Sequence, residues 1–253
     1  MSVRSEVRGA AYWIIMDRPQ RSNALNIEMY DELCSALDDA NDSEDTLITV
    51  FTGVGDCYSS GNDFTPEEMA KCGYPTLDYE HGFSKFVRRL LIHQKVLMGL
   101  VNGPAMGISC TTLGLFDYVV CSDSAYFLCP FSTLGVSPEG VSSAIFQRIM
   151  GTSNATEMLL FNEPMSAEQA LQRGYVSRVF TKAEFVQKTT ELVEKYSKLP
   201  KHSVLASKEL CRGQKWRREM LSVHNDEYDL LRVLFVDERS LAQIMKKFPK
   251  NKI

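Results

Sequence analysis

Two stretches of small residues interrupt the apolar segments and could bring the backbone close to a ligand. CYSSGNDF, residues 57–64, follows the apolar run TLITVFTGVGD, and VNGPAMGIS, residues 101–109, joins an apolar strand to an apolar helix. Small side chains permit close approach to the main chain, and a helix N-terminus carries unpaired N–H groups. On its own the first stretch is more typical of a tight turn, but the pair could stabilise a developing oxyanion.

A single carboxylate lies near a third small-residue stretch, STLGVSPEGVSS at residues 132–143. Glu139 follows Pro138 and precedes an apolar helix that we predict to begin near Gly140. The carboxylate could cap that helix, since acidic groups stabilise helix N-termini, or it could act as a general base in apolar surroundings. These residues alone leave both interpretations open. Combined with the two backbone junctions, Glu139 would complete an oxyanion hole and a base.

Alternating strands and helices must position these three stretches. Hydrophobic periodicity predicts strands at 11–17, 46–53, 96–103, 117–124 and 125–129, and helices at 23–42, 65–73, 83–94 and 103–116. From residue 140 onward helical patterns dominate, and the last runs from about 203 to 247. The strand at 46–53 is almost continuously apolar, which indicates a sheet covered on both faces.

This order of elements predicts an α/β fold with a helical C-terminal appendage. No Gly/Ser-rich linker separates the two parts. We therefore expect one domain, with a core at residues 1–195 and a C-terminal helical region of the same domain at residues 196–253.

Composition narrows the function classes. The 253 residues are 44% hydrophobic and 24% charged, as in an ordinary globular protein, and the net charge of −4 argues against a nucleic-acid partner. The seven cysteines form no CxxC pair and no metal-like spacing with the four histidines, so we expect reduced thiols, an intracellular protein and no metal site. We expect neither a signal peptide nor a membrane span.

Common catalytic signatures are missing from the sequence. It contains no GxGxxG after a strand, no GxxxxGK[ST], no GxSxG and no HExxH. Dinucleotide redox chemistry, P-loop hydrolysis and serine-hydrolase chemistry are therefore disfavoured.

The chain resembles the enoyl-CoA hydratase/isomerase (crotonase) superfamily along nearly its whole length. The matching segments are RPQRSNALN, TGVGDCYSSGNDF, LVNGPAMGISCTTLGLFDYVVCSDSAYF and FSTLGVSPEGVSS. Within the superfamily, VNGPAMGIS, LGVSPEG and ATEMLLF resemble the peroxisomal-type Δ3,Δ2-enoyl-CoA isomerases. The resemblance implies a spiral of ββα units with a helical C-terminal trimerisation region.

The resemblance also implies roles for individual residues. The backbone N–H groups of Asn62 and Ile108 would form the oxyanion hole, and Glu139 would be the catalytic base. Because both donors are backbone groups, we expect side-chain identity to matter little there. Contacts to the substrate and its coenzyme A moiety are implied for Ala24, Leu25, Ser60, Gly61, Asp63, Gly107 and Phe131. Arg18 and Arg21 could meet phosphates or simply be solvated.

One departure from the family pattern separates the candidate reactions. Hydratases of the family use two glutamates, and the corresponding positions here are Thr111 and Phe131, so the resemblance favours an isomerase that needs only Glu139. Coenzyme A would be part of the substrate, and no other cofactor is expected. A hydratase-like enzyme, a dienoyl-CoA isomerase with a further acid, and a non-catalytic acyl-CoA-binding module remain as alternatives.

The resemblance further implies a homotrimer, or a hexamer of paired trimers. The C-terminal residues KNKI resemble a peroxisomal address only loosely. We expect a peroxisomal location, with the mitochondrial matrix as the alternative.

Overall fold

The computed structural model describes residues 2–71, 79–80 and 82–247. Its strands are β1 Val3–Arg8, β2 Ala11–Met16, β3 Ile48–Gly53, β4 Val96–Val101, β5 Ala105–Met106, β6 Tyr118–Ser122, β7 Tyr126–Leu128, β8 Met165–Ser166 and β9 Arg178–Phe180. Its α-helices are α1 Ile27–Asp42, α2 Pro66–Lys71, α3 Gly82–Ile92, α4 Ile108–Thr111, α5 Phe131–Leu134, α6 Ser142–Met150, α7 Thr152–Leu159, α8 Ala167–Gln172, α9 Phe185–Ser197, α10 Lys201–Arg212, α11 Gln214–Val236 and α12 Glu238–Lys247. Cys72 and the KNKI segment lie outside the described residues.

The strands form two sheets that the chain visits in turn. The main sheet has the order β1-β2-β3-β4-β6-β9, with β1 antiparallel to β2 and the other neighbours parallel. The smaller sheet has the order β5-β7-β8 and is extended by parallel bridges from Ser59 to Ala105 and from Leu25 to Asn62. After β2, β3, β4 and β6 the chain therefore adds a short segment to the second sheet, as in a spiral. This places the segments that follow β3 and β4 side by side.

Both faces of the main sheet are buried at its strands β2 and β3, as the apolar strand at 46–53 predicted. Every residue of β2 is buried, and residues 48–51 of β3 are buried too. Tyr12, Ile14 and Met16 face a core that includes α1 and α3. Trp13 and Ile15 face a second core closed by α9. Side chains of successive strand residues point to opposite faces, so the apolar run fills two cores at once.

Four strands were absent from the sequence prediction, and one of them, β5, lies in a segment that was predicted to be a helix. β1 lies at the edge with only its first residue buried, so it carries little hydrophobic signal. β8 and β9 lie in the region predicted to be helical, and at two and three residues they are too short to show alternation.

Three predicted helices were wrong in extent. The helix expected at 23–42 begins at Ile27, because Asn26 caps it and Leu25 pairs with Asn62 instead. The helix expected at 203–247 is three helices, broken at Gly213 and Asp237, which both have extended backbones. Glycine is a poor helix former, and the Asp237 carboxylate accepts a hydrogen bond from the Arg239 N–H, so it starts a new helix. The helix expected at 103–116 is instead strand β5, helix α4 and a 3-10 turn.

The described cysteines carry free thiols. Cys34, Cys110, Cys121 and Cys129 are buried, as expected, whereas Cys57 is half-buried and Cys211 is exposed. Within the described residues, no helix is long and apolar enough to cross a membrane, and no cluster of His, Cys, Asp and Glu could hold a metal ion.

A buried asparagine ties together the turns after β2 and β3. The Asn23 side-chain amide donates to the carbonyls of Val54, Cys57 and Tyr58, and its oxygen accepts from the Arg18 N–H. Asn23 itself has a left-handed φ of 53°, which asparagine tolerates better than most residues. The loop that contains the SSGND motif is therefore fixed to the preceding turn.

Replacement of this asparagine should destabilise the protein strongly. Asn23→Ala leaves buried backbone groups without partners, each at a cost of about 1–3 kcal/mol, so we expect the free energy of unfolding to fall by about 3 kcal/mol or more. Denaturant titration measures the change. Asn162→Ala is the control, because Asn162 also has a left-handed φ but its partners are exposed. Equal losses in the two variants would show that backbone strain alone matters.

Candidate active site

A cavity of about 660 Å³ opens where the two sheets meet. Most of the site residues predicted from the sequence line this cavity: Ala24, Ser60, Asn62, Asp63, Gly107, Ile108, Phe131 and Glu139. The two exceptions are Leu25 and Gly61. Leu25 and Gly61 lie in the adjoining backbone bridge, where the Leu25 N–H donates to the Gly61 carbonyl at 2.8 Å. Leu25 is buried, so its backbone rather than its side chain shapes the cavity.

Among the cavity-lining backbone amides that have no acceptor within the described residues, two lie on neighbouring loops. They are the N–H groups of Asn62, just after Gly61, and of Ile108, the first residue of α4. The neighbouring amides are engaged: Asp63 N–H donates to the Leu25 carbonyl, and Gly107 N–H donates to the Leu128 carbonyl. Unpaired backbone donors near a cavity are costly unless water or a ligand satisfies them. Asn62 and Ile108 can therefore act as a two-donor anion site.

Close contact between two main chains brings these amides together. Gly61 has a φ of 83°, and a Cβ there would lie 2.6 Å from the Met106 carbonyl oxygen. The bare SSGN segment is therefore explained first by the approach of the next loop of this chain. The sequence had suggested only that a ligand approaches this backbone.

Glu139 is the buried carboxylate of this site, with 5% of its surface exposed. Burial, and to a lesser extent the negative charge of Glu227, raises the pKa of Glu139 to about 8. The carboxyl lies before α6, which begins at Ser142 rather than near Gly140, and Val141 at the N-cap makes no side-chain capping hydrogen bond. Its Oε1 instead accepts a hydrogen bond from the Asn62 side-chain amide at 3.3 Å. Helix capping alone therefore does not account for this carboxylate.

The Asn62 side chain has a role that the sequence interpretation missed. Its Oδ1 accepts a hydrogen bond from the Tyr30 hydroxyl on α1, which turns its amide nitrogen toward Glu139. The expectation that side-chain identity can vary at this position took no account of these two side-chain hydrogen bonds. The Asn62 side chain orients the candidate base while its backbone N–H faces the cavity.

Asp63, the other carboxylate of the cavity wall, is held by arginine. Desolvation opposes its ionisation, but hydrogen bonds from Arg18 and Thr65 outweigh this and lower its pKa. Arg18 lies 2.6 Å from the Asp63 carboxylate and also donates to the Ala24 carbonyl, and Arg21 lies 3.7 Å from the carboxylate. Arg18 is therefore neither a solvated side chain nor a free phosphate ligand.

The two positions that carry glutamates in hydratases contribute no acid here. The Thr111 hydroxyl donates to the Ile108 carbonyl at 3.2 Å inside the protein. Phe131 is buried and contributes an apolar wall to the cavity.

The C-terminal helices close the cavity, which the sequence analysis did not predict. Leu231 and Phe235 of α11 and Lys247 of α12 line it. Glu227 lies on the same face of α11 and is buried. Glu227 lies four residues before Leu231 and eight before Phe235, so a charged residue falls on an apolar helix face. This pattern is the sequence signal that could have revealed the part of α11 in the site.

Comparison with known proteins agrees with this fold and site. The structure of OdaA from Pseudomonas aeruginosa superimposes with a TM-score of 0.91 at 26% identity, covering 98% of this chain and 99% of that one. The fold is thus the crotonase-like α/β fold. The enoyl-CoA hydratase/isomerase family matches residues 6–241, and the chain belongs to that family, whose members bind acyl-CoA substrates.

Two relatives are similar to most of this chain. Enoyl-CoA delta isomerase 2 of Rattus norvegicus is 41% identical over 234 residues, which are 92% of this chain and 59% of the rat protein. The peroxisomal enoyl-CoA delta isomerase 3 of Mus musculus is 37% identical over 216 residues, which are 85% of this chain and 68% of the mouse protein. The chain thus spans little more than half the length of the rat relative.

A methyl group at Gly61 should separate the two amides. In Gly61→Ala the new Cβ meets the Met106 carbonyl oxygen in addition to the strain of a positive φ. Gly151→Ala is the matched control, because Gly151 has a φ of 79° but no atom within 4 Å of the Cβ position. We expect Gly61→Ala to lose about 1–3 kcal/mol more stability than the control, as overpacking does. Equal denaturation midpoints would contradict the close approach.

Proposed function

We propose that this protein is a Δ3,Δ2-enoyl-CoA isomerase, which moves a double bond from C3 to C2 of a fatty enoyl-CoA during β-oxidation of unsaturated fatty acids. The observation that supports this proposal most directly is that one buried carboxyl, that of Glu139, lines the same cavity as the unpaired N–H groups of Asn62 and Ile108. The names of the rat and mouse relatives support the same reaction.

In the proposed reaction Glu139 removes a proton from C2 of the 3-enoyl thioester. The C–H electron pair moves into a dienolate, whose oxygen accepts hydrogen bonds from the Asn62 and Ile108 amides. The same carboxyl returns the proton at C4, which leaves the double bond between C2 and C3. Each oxyanion donor is typically worth about 3 kcal/mol of transition-state stabilisation. The transfer is redox-neutral, so coenzyme A, as part of the substrate, is the only cofactor-like group required.

The acid-base properties of Glu139 suit a shuttle. The carboxyl must first accept a proton and then donate it, which is most efficient when its pKa is near the working pH. A pKa of about 8 meets that condition. The apolar wall around it, including Phe131, would also keep water from the dienolate.

A hydratase is a weaker candidate because water addition in this family uses two carboxylates. Thr111 and Phe131 cannot supply them, and Asp63 is held as an ion by Arg18. A non-catalytic acyl-CoA-binding module remains as an outcome of the test below.

Glu139→Gln should abolish isomerisation while leaving binding intact. With a medium-chain trans-3-enoyl-CoA, we expect ultraviolet absorbance of the conjugated 2-enoyl thioester to appear with the wild type. The variant should be slower by at least about 10²-fold, because the base is lost, while its Kd for a saturated acyl-CoA stays within about twofold. The exposed Glu163→Gln is the control. Tight binding without conjugation by the wild type would instead assign a binding module.

Assembly and location are further parts of the proposal. The protein is proposed to form a homotrimer, or a hexamer of paired trimers, through apolar side chains exposed on its C-terminal helices, such as Leu210 at 89% and Val233 at 63%. Sedimentation at micromolar concentration should give trimers, and monomers would contradict this.

A peroxisomal location follows the mouse relative's name. A fluorescent fusion with a free C-terminus should mark peroxisomes, whereas mitochondrial fluorescence would support the alternative.

A further inference from the structure

A carboxylate of the C-terminal region binds the backbone next to the candidate base. Glu227 of α11 is 7% exposed, and its two oxygens accept hydrogen bonds from the N–H groups of Val141 at 2.6 Å and Ser143 at 2.9 Å. The side chain thus caps α6, whose own N-cap residue provides no side-chain hydrogen bond. The cap comes from a helix more than eighty residues away in the sequence.

The backbone held by Glu227 is strained. Val141 has a φ of 64°, and this left-handed conformation is rare for a β-branched residue. Such a residue persists only where its surroundings fix it, and the Val141 N–H is fixed by Glu227. On the other side of the turn, the Glu139 carbonyl accepts hydrogen bonds from the Ser142 N–H and hydroxyl. The direction in which the Glu139 side chain points therefore depends on this turn keeping its conformation.

We propose that Glu227 is a positioning residue for the isomerisation: its buried carboxylate holds the Glu139–Ser143 turn in its strained conformation and places a negative charge behind the base. This inference rests on the proposed function. Glu227 does not line the cavity described above, so it acts through Glu139 rather than on the substrate.

Charge is an essential part of this role. Burial raises the pKa of Glu227 above its ordinary value, and the hydrogen bonds from Ser143 and Val141 offset only part of this rise by favouring the ionised form. Its charge raises the pKa of Glu139 beyond the effect of burial. Removal of that charge must lower the pKa of Glu139. The base would then be ionised at lower pH, and the rising limb of the pH profile would move to lower pH.

The other groups around the two carboxyls do not compensate for this charge. Burial lowers the pKa of His224 to about 4, so it is neutral, and the buried thiol of Cys129 has a pKa well above its ordinary value. Arg18 is committed to Asp63. Further charged groups near the cavity, α3, α6 and the Glu227 side of α11 include Arg21, Lys247, Arg88, Asp226 and the Arg148–Glu219 pair.

Two substitutions separate the effect of the charge of Glu227 from the effect of its side-chain length. Glu227→Gln keeps the length but removes the charge, and one end of its amide is a donor facing a backbone N–H. We expect kcat for the 3-enoyl-CoA to fall about 10–100-fold, as misplacement of a catalytic group does, with Kd for a saturated acyl-CoA within about twofold. The rising limb of the plot of kcat/KM against pH, near pH 8 in the wild type, should move to lower pH. Glu227→Asp keeps the charge but loses reach, so kcat should fall with a smaller movement of the limb.

Glu219→Gln is the matched control. Glu219 also joins α11 to α6, through Arg148, but its side chain is 50% exposed and lies away from the Glu139 turn. The control should retain kcat and the wild-type limb. Unchanged kcat and limb in Glu227→Gln would overturn the proposal. A lower melting temperature and kcat with an unmoved limb would also overturn it, since Glu227 would then be only a structural cap.

A measurement without turnover distinguishes failure of this inference from failure of the proposed function. Carbon-13 NMR titration of the glutamate carboxyls, with Glu139 assigned from Glu139→Gln, reports its pKa directly. The Glu139 pKa should be lower in Glu227→Gln than in wild type or Glu219→Gln. This result would support the coupling of the two carboxyls even if the wild type had no isomerase activity, and an unchanged Glu139 pKa would refute it.

Discussion

Main-chain contact between the loops after β3 and β4 is the constraint on which the site depends. Backbone N–H groups normally find partners inside the protein, yet those of Asn62 and Ile108 have no acceptor within the part of the chain that the structure describes, and they lie beside a cavity. Two such groups can serve one oxygen only if their loops touch, and Gly61 allows that contact. The parallel order of β3 and β4 sets the loops side by side, and Asn23 fixes the first of them. The fold thus specifies where a negative charge can develop.

The cavity holds two carboxyls in opposite electrostatic surroundings. Asp63 and Glu139 both line the cavity, but their surroundings move their pKa values in opposite directions. Arg18 stabilises the Asp63 ion, whereas Glu139 has an amide partner, an apolar wall and a second negative charge behind it. Environment rather than residue type therefore separates the two carboxyls: of Asp63 and Glu139, only Glu139 has its pKa raised, to about 8.

Much of this arrangement could be predicted from the sequence because its signals are local. The apolar strands, the small-residue junctions and Glu139 each lie within a few residues, and the structure places the junctions and Glu139 around one cavity. Contacts between distant segments carry no such local signal: nothing in SSGND indicates that Met106 fills the space beside Gly61, or that Tyr30 orients Asn62. The breaks at Gly213 and Asp237 were missed because the hydrophobic pattern continues through them. Short strands such as β9 depend on pairing with β6 rather than on their own composition.

The periodicity of α11 explains why its part in the site was hard to see. Residues four apart share a helix face, so Glu227, Leu231 and Phe235 face inward together, while Leu230 and Val233 are exposed on another face. The inward face contributes both the cap of α6 and part of the cavity wall. Any displacement of α11 along its axis would therefore move the wall and the turn that carries Glu139 in the same direction. The cavity wall and the turn that carries Glu139 consequently contact the same helix, although Glu227 and Val141 lie more than eighty positions apart in the chain.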